Sequence, residues 1–141
     1  MDIEEVILFQ IERTSKLSKI YSQREFDKLG MNITVEQWIL LKIIHENTGL
    51  TQKELAEKSL RDPASITRTL DLLNKKGFVE RKVVPGNRRQ YSICLTKNGK
   101  GFISKYMSVI TAHRTKSTGG MSEKELKALM QSLKRIQNNM S

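Results

Sequence analysis

The sequence predicts a mainly α-helical fold with one small β-hairpin, an α+β class in which the strands are few and short. Apolar residues recur at helical spacing for about 25 residues from Ile3. Two short helical segments then follow each other through a tight connection at Leu60 and Arg61. After them, two β-rich runs flank a Pro-Gly-Asn turn at 85–87. Further helical spacing after the hairpin completes a helix-rich chain.

The first two predicted helices differ in how much of their surface is apolar. The first continues its spacing through four further apolar residues, Ile7, Ile11, Leu17 and Tyr21. Thr34 can cap the second helix, which has the sequence VEQWILLKIIHE. Apolar residues surround this second helix nearly completely, so we expect it to lie in the centre of a domain.

The two short helices carry strong start signals. Thr51 and Glu54 have the spacing of a reciprocal capping box, and Asp62 followed by Pro63 supplies an N-cap and a pre-set first helical residue. The second short helix runs to Lys76 and stops at Gly77. Its buried side is predicted to comprise Ile66, Leu70 and Leu73. At about 100° per residue, the opposite side then carries Ala64, Arg68, Asp71 and Lys75.

The last third of the chain is predicted to contain the hairpin and two helices. Residues 78–84 and 91–95 are the β-rich runs, and Arg88 and Arg89 lie in the predicted turn between them. Thr96 caps a helix that a glycine pair at 119–120 interrupts, and Ser122 begins a last helix with its own capping box. A narrow apolar seam follows this helix at Leu126, Leu129, Leu133, Ile136 and Met140.

Composition and charge limit the possible settings and partners. A chain of 141 residues is about one domain, and its single cysteine cannot form an intrachain disulfide. No window approaches the roughly 18 apolar residues of a membrane span, so we expect a soluble, cytoplasmic protein. The net charge of +10 divides into −2 for residues 1–50, +7 for 51–100 and +5 for 101–141. A basic middle third is typical of proteins that bind a phosphate backbone, with membrane surfaces and acidic proteins as alternatives.

A helix, a tight turn, a second helix and a basic hairpin form the order of a winged helix-turn-helix. In this arrangement the second short helix enters the DNA major groove, and the arginine-rich hairpin reaches the minor groove. Arg68 is the predicted base-reading residue, because a guanidinium can bind a guanine edge in a bidentate way. The predicted DNA-binding residues are Thr51, Gln52, Pro63, Ala64, Ser65, Thr67, Arg68, Lys75, Arg88 and Arg89.

Over about residues 50–99 the sequence resembles the MarR type of bacterial transcription factor, named for multiple antibiotic resistance. The resemblance lies in LTQKELAEKSLRDPASITRTLDLLNKKGFVERK and NRRQYSICLTKNG. Asn87 stands where that family usually has aspartate. The resemblance implies one domain over 1–141, with a DNA-binding lobe at 34–96 and helical dimerisation regions at 1–29 and 97–141. It also implies a homodimer on a pseudo-palindromic operator, usually released by a small, often phenolic, ligand or by oxidation.

The terminal helices give separate support for a dimer. A first helix of about 25 residues extends beyond a single core of this size, and the narrow seam of the last helix needs a partner surface. Two-fold symmetry would place two reading helices roughly 34 Å apart, one DNA turn. The alternative is an intramolecular pair of the same helices in a monomer. The predicted dimerisation residues are Ile3, Ile7, Ile11, Leu126, Leu129, Leu133, Ile136 and Met140.

Four aromatic residues are candidates for an effector pocket, although core packing is the favoured role for each of them: Tyr21, Phe26, Trp38 and Tyr106. Cys94 is interpreted as structural, with peroxide sensing as the alternative. No metal or other cofactor is predicted, because His45, His113 and Cys94 are too few and too scattered. No catalytic motif is formed, so an enzyme is not expected. The main alternative function is a winged-helix module that binds proteins rather than DNA.

Overall fold

Within residues 1–141, of which the structure describes all but the side chain of Arg88, the chain forms six α-helices and one antiparallel β-hairpin. This is a computed structural model, and it confirms the predicted mainly α-helical fold with a small hairpin. The helices are α1 (Ile7–Lys28), α2 (Val35–Glu46), α3 (Gln52–Ser59), α4 (Pro63–Lys75), α5 (Lys97–Ser117) and α6 (Glu123–Met140). The strands are β1 (Val79–Val84) and β2 (Asn87–Leu95).

Backbone contacts divide the chain into two units, Met1–Ser108 and Val109–Ser141, with the boundary inside α5. The second unit holds the end of α5 and all of α6. The predicted division into a DNA-binding lobe at 34–96 and dimerisation regions on either side concerns function, and it stays a prediction. No helix in the described part of the chain has both the length and the hydropathy that a membrane span requires.

The first helix begins later than predicted. Residues Ile3–Glu5 form a separate 3₁₀ turn, and Val6 has extended backbone angles (φ −80°, ψ 119°) before α1 starts at Ile7. Polar side chains hold this turn: the Asp2 carboxylate accepts from the backbone N–H of Glu4, and Gln10 Nε2 donates to the carbonyl of Glu4 at 2.7 Å. The predicted continuous helix from Ile3 was therefore wrong over its first turn, because local hydrogen bonds compete there with the helical ones.

The predicted caps are mostly confirmed. Thr34 and Ser122 each form a complete capping box, with Gln37 and Glu125 respectively, and Asp62 Oδ1 accepts from the backbone N–H of Ser65 at 2.9 Å. At α3, Thr51 Oγ1 accepts from the backbone N–H of Glu54 at 3.1 Å. The Glu54 carboxylate, however, accepts from the Thr51 hydroxyl and not from its backbone N–H as the predicted reciprocal box requires.

The core of the first unit is supplied by α2, α3, α4, the hairpin and the first part of α5. Its most deeply buried side chains are Trp38, Leu40, Leu41, Leu55, Ile66, Leu70, Leu73, Val79, Ile93 and Ile103. The predicted buried side of α4 is confirmed, because all three of its apolar residues are fully buried. By contrast, α2 is not buried all round, since Ile39 on its other side is 44% exposed.

The hairpin is longer and less regular than predicted. The turn contains only Pro85 and Gly86, because β2 already begins at Asn87, which pairs with Val84. Val83 pairs with Tyr91, so the three residues between Asn87 and Tyr91 form a bulge in β2. The adjacent arginines therefore lie in this bulge and not on the turn itself, which corrects their predicted position.

The base of the hairpin is fastened to the helices on both sides. The backbone N–H of Ile93 donates to the carbonyl of Leu50 at 2.8 Å, which joins β2 to the start of α3. The Thr96 hydroxyl accepts from the backbone N–H of Gly99 at 3.0 Å and donates to the carbonyl of Gly77. Thr96 thus caps α5 as predicted and ties that cap to the end of α4.

Candidate nucleic-acid interface

The helix α4 presents a polar face to solvent because its apolar residues occupy the opposite side. Ala64, Thr67, Arg68 and Lys75 are all exposed, as the helical spacing predicts. The Arg68 guanidinium makes no hydrogen bond or ion pair with any described residue. An exposed guanidinium in the middle of α4 is therefore available to a ligand, and its five N–H donors suit a planar acceptor edge.

Thr67 is exposed but already has partners in the protein. Gln52 Nε2 on α3 donates to Thr67 Oγ1 at 2.7 Å, and Thr67 Oγ1 donates to the carbonyl of Pro63 at 3.0 Å. The structure thus brings together Gln52, Pro63 and Thr67, three of the predicted DNA-binding residues. This bond also holds α3 and α4 side by side at their exposed surface.

Ser65 differs from its neighbours because it is half-buried. Its hydroxyl accepts from Nη2 of Arg61 at 2.6 Å and from Nε of the same residue at 3.2 Å. The Ser65 oxygen is therefore engaged by Arg61, and its half-buried side chain is less accessible to a phosphate than its exposed neighbours on α4. The predicted DNA contact of Ser65 stays a prediction.

The β2 bulge presents Arg89, which is exposed. Its backbone N–H donates to Oδ1 of Asn87 at 3.1 Å, so the asparagine forms a local turn that shapes the bulge. Asn87 carries no charge to pair with the guanidinium that follows it. The side chain of Arg88 lies outside the described part of the chain.

An open groove of about 1090 Å³ lies between α3, the start of α4 and the hairpin. The groove brings together five of the predicted DNA-binding residues, Thr51, Gln52, Pro63, Thr67 and Arg89. Ala64, Ser65, Arg68 and Lys75 do not line it. Predicted contacts from three separate segments therefore converge on one concave surface, with Arg68 and Lys75 placed on α4 outside it.

The segment that forms this groove matches a known family. A model of the MarR family matches residues 33–91, which run from just before α2 into β2. The chain carries a MarR-family domain. The match contains α2, α3, α4, β1 and the hairpin turn, and every residue that lines the groove lies within this MarR-family domain.

Solved structures resemble nearly the whole chain and not only the MarR-family domain. The crystal structure of the transcriptional regulator SlyA is 26% identical, with a TM-score of 0.84, and the match covers 95% of this chain and 93% of that one. A mutant MarR from E. coli, complexed with operator DNA, is 25% identical with the same TM-score, and covers 96% and 99% of the two chains. A MarR/EmrR family regulator from an Acinetobacter species has a TM-score of 0.90 at 18% identity, covers 99% and 98%, and shows the fold alone.

Three residues around the candidate interface were not among the predicted DNA-binding residues. Arg81 on β1 forms an ion pair with Asp71 on α4, with its Nη2 2.8 Å from Oδ1. Arg61 holds α4 by donating to the hydroxyl groups of Ser65 and Thr69. Leu60 has a left-handed backbone (φ 55°) and a 94% exposed side chain. Only Leu60 had a usable signal, because a residue that ends one helix just before an Asp-Pro start must turn sharply.

Three of the predicted effector-pocket aromatics join a packed cluster in the first unit. Phe26 and Trp38 meet edge to face at 6.1 Å between ring centroids, and Phe102 lies between Trp38 and Tyr106 at 6.2 and 5.0 Å. Trp38 is fully buried, and its indole N–H has no hydrogen-bond partner among the described residues. Tyr21 is half-buried on α1. A ligand role for these residues stays a prediction, since the packing accounts for the rings themselves.

Cys94 lies on β2 in a small cavity of about 250 Å³. Its Sγ is 3.9 Å from the hydroxyl of Ser92, and Lys82 and Lys100 line the same cavity. The thiol is half-exposed, which leaves the structural interpretation of Cys94 a prediction.

Proposed function

We propose that this protein is a transcription regulator that binds double-stranded DNA in a sequence-specific manner, with α4 in the major groove. The observation that carries the proposal is Arg68, which is exposed in the middle of α4, has no side-chain partner among the described residues, and lies inside the segment that matches the MarR family. Bidentate contact between an arginine and the O6 and N7 acceptors of guanine is the commonest specific contact in the major groove.

Phosphate contacts around Arg68 would fix the position of α4 on the duplex. Lys75 on the same exposed face and Thr51 and Gln52 at the start of α3 are the proposed contacts. Residues 51–100 carry a net charge of +7, which supplies the electrostatic attraction that DNA binding of this kind requires. The MarR structure with operator DNA, at 25% identity over nearly the whole chain, supports this role.

The hairpin is proposed to enter the minor groove through its bulge. Arg89 is exposed there and has no acidic residue in the sequence between Val83 and Tyr91 to neutralise it. Minor grooves of A·T-rich sequence are narrow and have enhanced negative potential, which attracts arginine. Arg89 is therefore expected to favour A·T-rich flanks, and Arg88 is proposed to act beside it.

We propose further that the protein acts as a homodimer, because its terminal helices leave apolar surface uncovered. On α1, Ile7, Leu8 and Leu17 are each more than half exposed. On α6, all of whose residues are described, none is buried, and Leu129 and Met140 of the predicted seam are exposed. Burying apolar surface contributes about 25 cal/mol per Å², so a second copy that covers these residues would stabilise both chains.

As a dimer, the protein would occupy two half-sites of a pseudo-palindromic operator and repress the gene beside it. We propose that a small apolar effector, received near the aromatic cluster around Trp38, releases the operator. This role places the protein with the chromosome in the cytoplasm and needs no catalytic chemistry.

The test is a footprint on the DNA upstream of the protein's own gene, measured at several salt concentrations. We expect a protected pseudo-palindrome, an affinity that falls steeply as salt rises, and loss of protection with the double variant Arg68→Ala, Arg89→Ala. Absent or salt-independent binding would count against the proposal. A parallel pull-down that captures a tightly bound protein without any footprint would favour a winged-helix protein-interaction module.

A further inference from the structure

Arg61 connects the two helices of the helix-turn-helix through separate groups. Its backbone N–H donates to the carbonyl of Ala56 at 3.2 Å, which helps to end α3. Its guanidinium donates to the hydroxyls of Ser65 and Thr69, with Nη2 at 2.6 and 2.7 Å from the two oxygens. One residue therefore ends α3 and grips the first two turns of α4.

The hydroxyls that Arg61 grips lie on one line along α4. Ser65 and Thr69 are four residues apart, so they sit one above the other on the same side of the helix. Thr69 is buried, and its own hydroxyl donates back to the carbonyl of Ser65 at 3.0 Å. Nη2 of Arg61 donates to both hydroxyls, and Nε of the same plane also donates to Ser65 Oγ. A lysine ammonium has no second nitrogen held in that plane.

One nitrogen of this half-buried guanidinium is buried without a partner, which indicates a geometric role. Nη1 of Arg61 is buried and has no hydrogen-bond partner among the described residues, and none of the described ion pairs involves Arg61. Burying a charged group without an opposite charge is costly, and an apolar side chain at this position would avoid the cost. An apolar side chain at position 61 could not donate to Ser65 and Thr69. It would therefore lack the fixed connection between the turn and α4 that Arg61 supplies.

We propose that Arg61 is a positioning residue that sets the rotation of α4, so that Arg68 points at the base edges, and that Ser65 serves as its internal partner and not as a phosphate contact. The proposal rests on the proposed DNA-binding function. Arg68 follows Ser65 by three residues and precedes Thr69 by one. Holding Ser65 and Thr69 in place therefore fixes the direction of Arg68, at about 100° of helical rotation from Thr69.

The test compares two duplexes: one that the wild-type protein selects from a randomised pool, and a scrambled duplex of the same composition. Arg61→Met should lower the preference for the selected duplex about tenfold, while binding to the scrambled duplex changes by no more than about twofold. Arg61→Lys should not restore the preference, because the ammonium keeps the charge but lacks the two coplanar nitrogen donors, Nε and Nη2. An equal loss on both duplexes, or full rescue by lysine, would overturn the proposal in favour of simple charge.

A double-mutant cycle separates the two roles of Ser65. Ser65→Ala should weaken selective binding in the wild-type background and have an effect of less than about twofold in the Arg61→Met background. The same loss in both backgrounds would show a direct phosphate contact and overturn the inference. If Arg61→Met does not fold, the variant Ser65→Ala, Thr69→Val keeps Arg61 and tests the same grip, with loss of selectivity as the expected result.

Failure of the inference can be told apart from failure of the proposed function. If the wild-type protein enriches no duplex from the pool, the DNA-binding function is wrong. If the wild-type protein enriches a duplex and Arg61→Met keeps the same preference, only the positioning role is wrong. Hydrogen exchange on the free dimer or monomer adds a readout without DNA: the backbone amides of residues 65–69 should exchange faster in Arg61→Met, and unchanged protection would overturn the proposal.

Discussion

Nη2 of Arg81 lies 2.8 Å from Oδ1 of Asp71, and this ion pair joins β1 to the exposed face of α4. The Asp71 side chain is 58% exposed, so the pair should contribute no more than about 1 kcal/mol to folding. The charge of Asp71 should affect DNA binding more than the ion pair affects folding. Asp71 lies three residues after Arg68, on the face proposed to meet DNA. The aspartate thus holds Arg81, and on the proposed function it would oppose the approach of phosphates.

Asp71→Asn should tighten DNA binding without selectivity. The asparagine keeps an oxygen that can accept from Arg81 but removes a negative charge from the interface. We expect selected and scrambled duplexes to bind roughly two- to tenfold more tightly at low salt, with a steeper salt dependence. Fluorescence anisotropy across a salt series measures both effects. Glu36→Gln is the matched control, because its carboxylate pairs with Lys19 between α1 and α2 and should change binding less.

Arg68→Ala and Lys75→Ala should separate base reading from phosphate binding. Removing Arg68 should cost about 1 to 3 kcal/mol on the selected duplex and relax specificity at one base pair. Removing Lys75 should weaken all duplexes alike and lower the salt slope by about one. Binding titrations against a set of single-base variants of the selected duplex test this difference. Equal losses on every duplex for Arg68→Ala would exclude its base-reading role.

Asn87 allows the geometry and the charge of the hairpin to be changed separately. In the wild-type protein the backbone N of Arg89 lies 3.1 Å from Oδ1 of Asn87. Asn87→Asp keeps an oxygen that can accept this bond and adds a negative charge beside Arg89. Asn87→Ala removes the oxygen and leaves the charge unchanged. We expect Asn87→Asp to weaken binding to A·T-rich flanks by roughly 1 kcal/mol, and less so as salt rises. If Asn87→Ala alone weakens binding, the shape of the bulge matters more than its charge.

Gly99 and Gly101 give a matched pair of stability tests in α5. A Cβ atom on Gly99 would lie 2.2 Å from the carbonyl oxygen of Phe78, whereas a Cβ on Gly101 meets nothing within 4 Å. Gly99→Ala should therefore destabilise the fold by about 1 to 3 kcal/mol through overpacking against backbone. Gly101→Ala should stabilise it by about 0.5 to 1 kcal/mol, because alanine favours a helix interior. Thermal unfolding of both variants, followed by circular dichroism, tests the opposite signs.

The cap of α6 should weaken in acid. The backbone N–H of Ser122, whose N atom lies 3.1 Å from Oε1 of Glu125, and then the Ser122 hydroxyl lower the pKa of Glu125 below its ordinary value. A carboxyl whose pKa is lowered in the folded state stabilises the fold above its ordinary pKa, and the contribution is lost as pH falls through the lowered value. An NMR titration should show this shift, and Glu125→Gln should remove the pH-dependent part. A pKa of Glu125 at its ordinary value would contradict the prediction.

Much of the fold could be predicted because its signals are local. Asp62 before Pro63 and Ser122 before Glu125 mark helix starts through hydrogen bonds that span only three residues. The buried side of α4 follows from helical geometry alone, so Arg68 could be placed on the exposed face before any contact was known.

The remaining features depend on competition between local groups or on contacts across the fold. Asp2 and Gln10 stabilise a separate 3₁₀ turn where the apolar spacing predicted helix, and periodicity does not register such polar contacts. The β2 bulge depends on how the strand pairs with β1, since residues 87–90 could equally have formed a longer turn. The Asp71–Arg81 pair links residues ten apart, and nothing in the residues between them indicates the partnership.

By itself the sequence determined the order of the helices and the hairpin, the caps that begin most of them, and the outward direction of Arg68, because each depends on residues within a few positions of one another. Tertiary structure alone decided that Arg61 grips Ser65 and Thr69, that Asp71 holds Arg81, and that the arginines of the hairpin lie in a bulge. Those outcomes depend on which groups of different elements come into contact. They also depend on how the donors and acceptors there compete for hydrogen-bond partners.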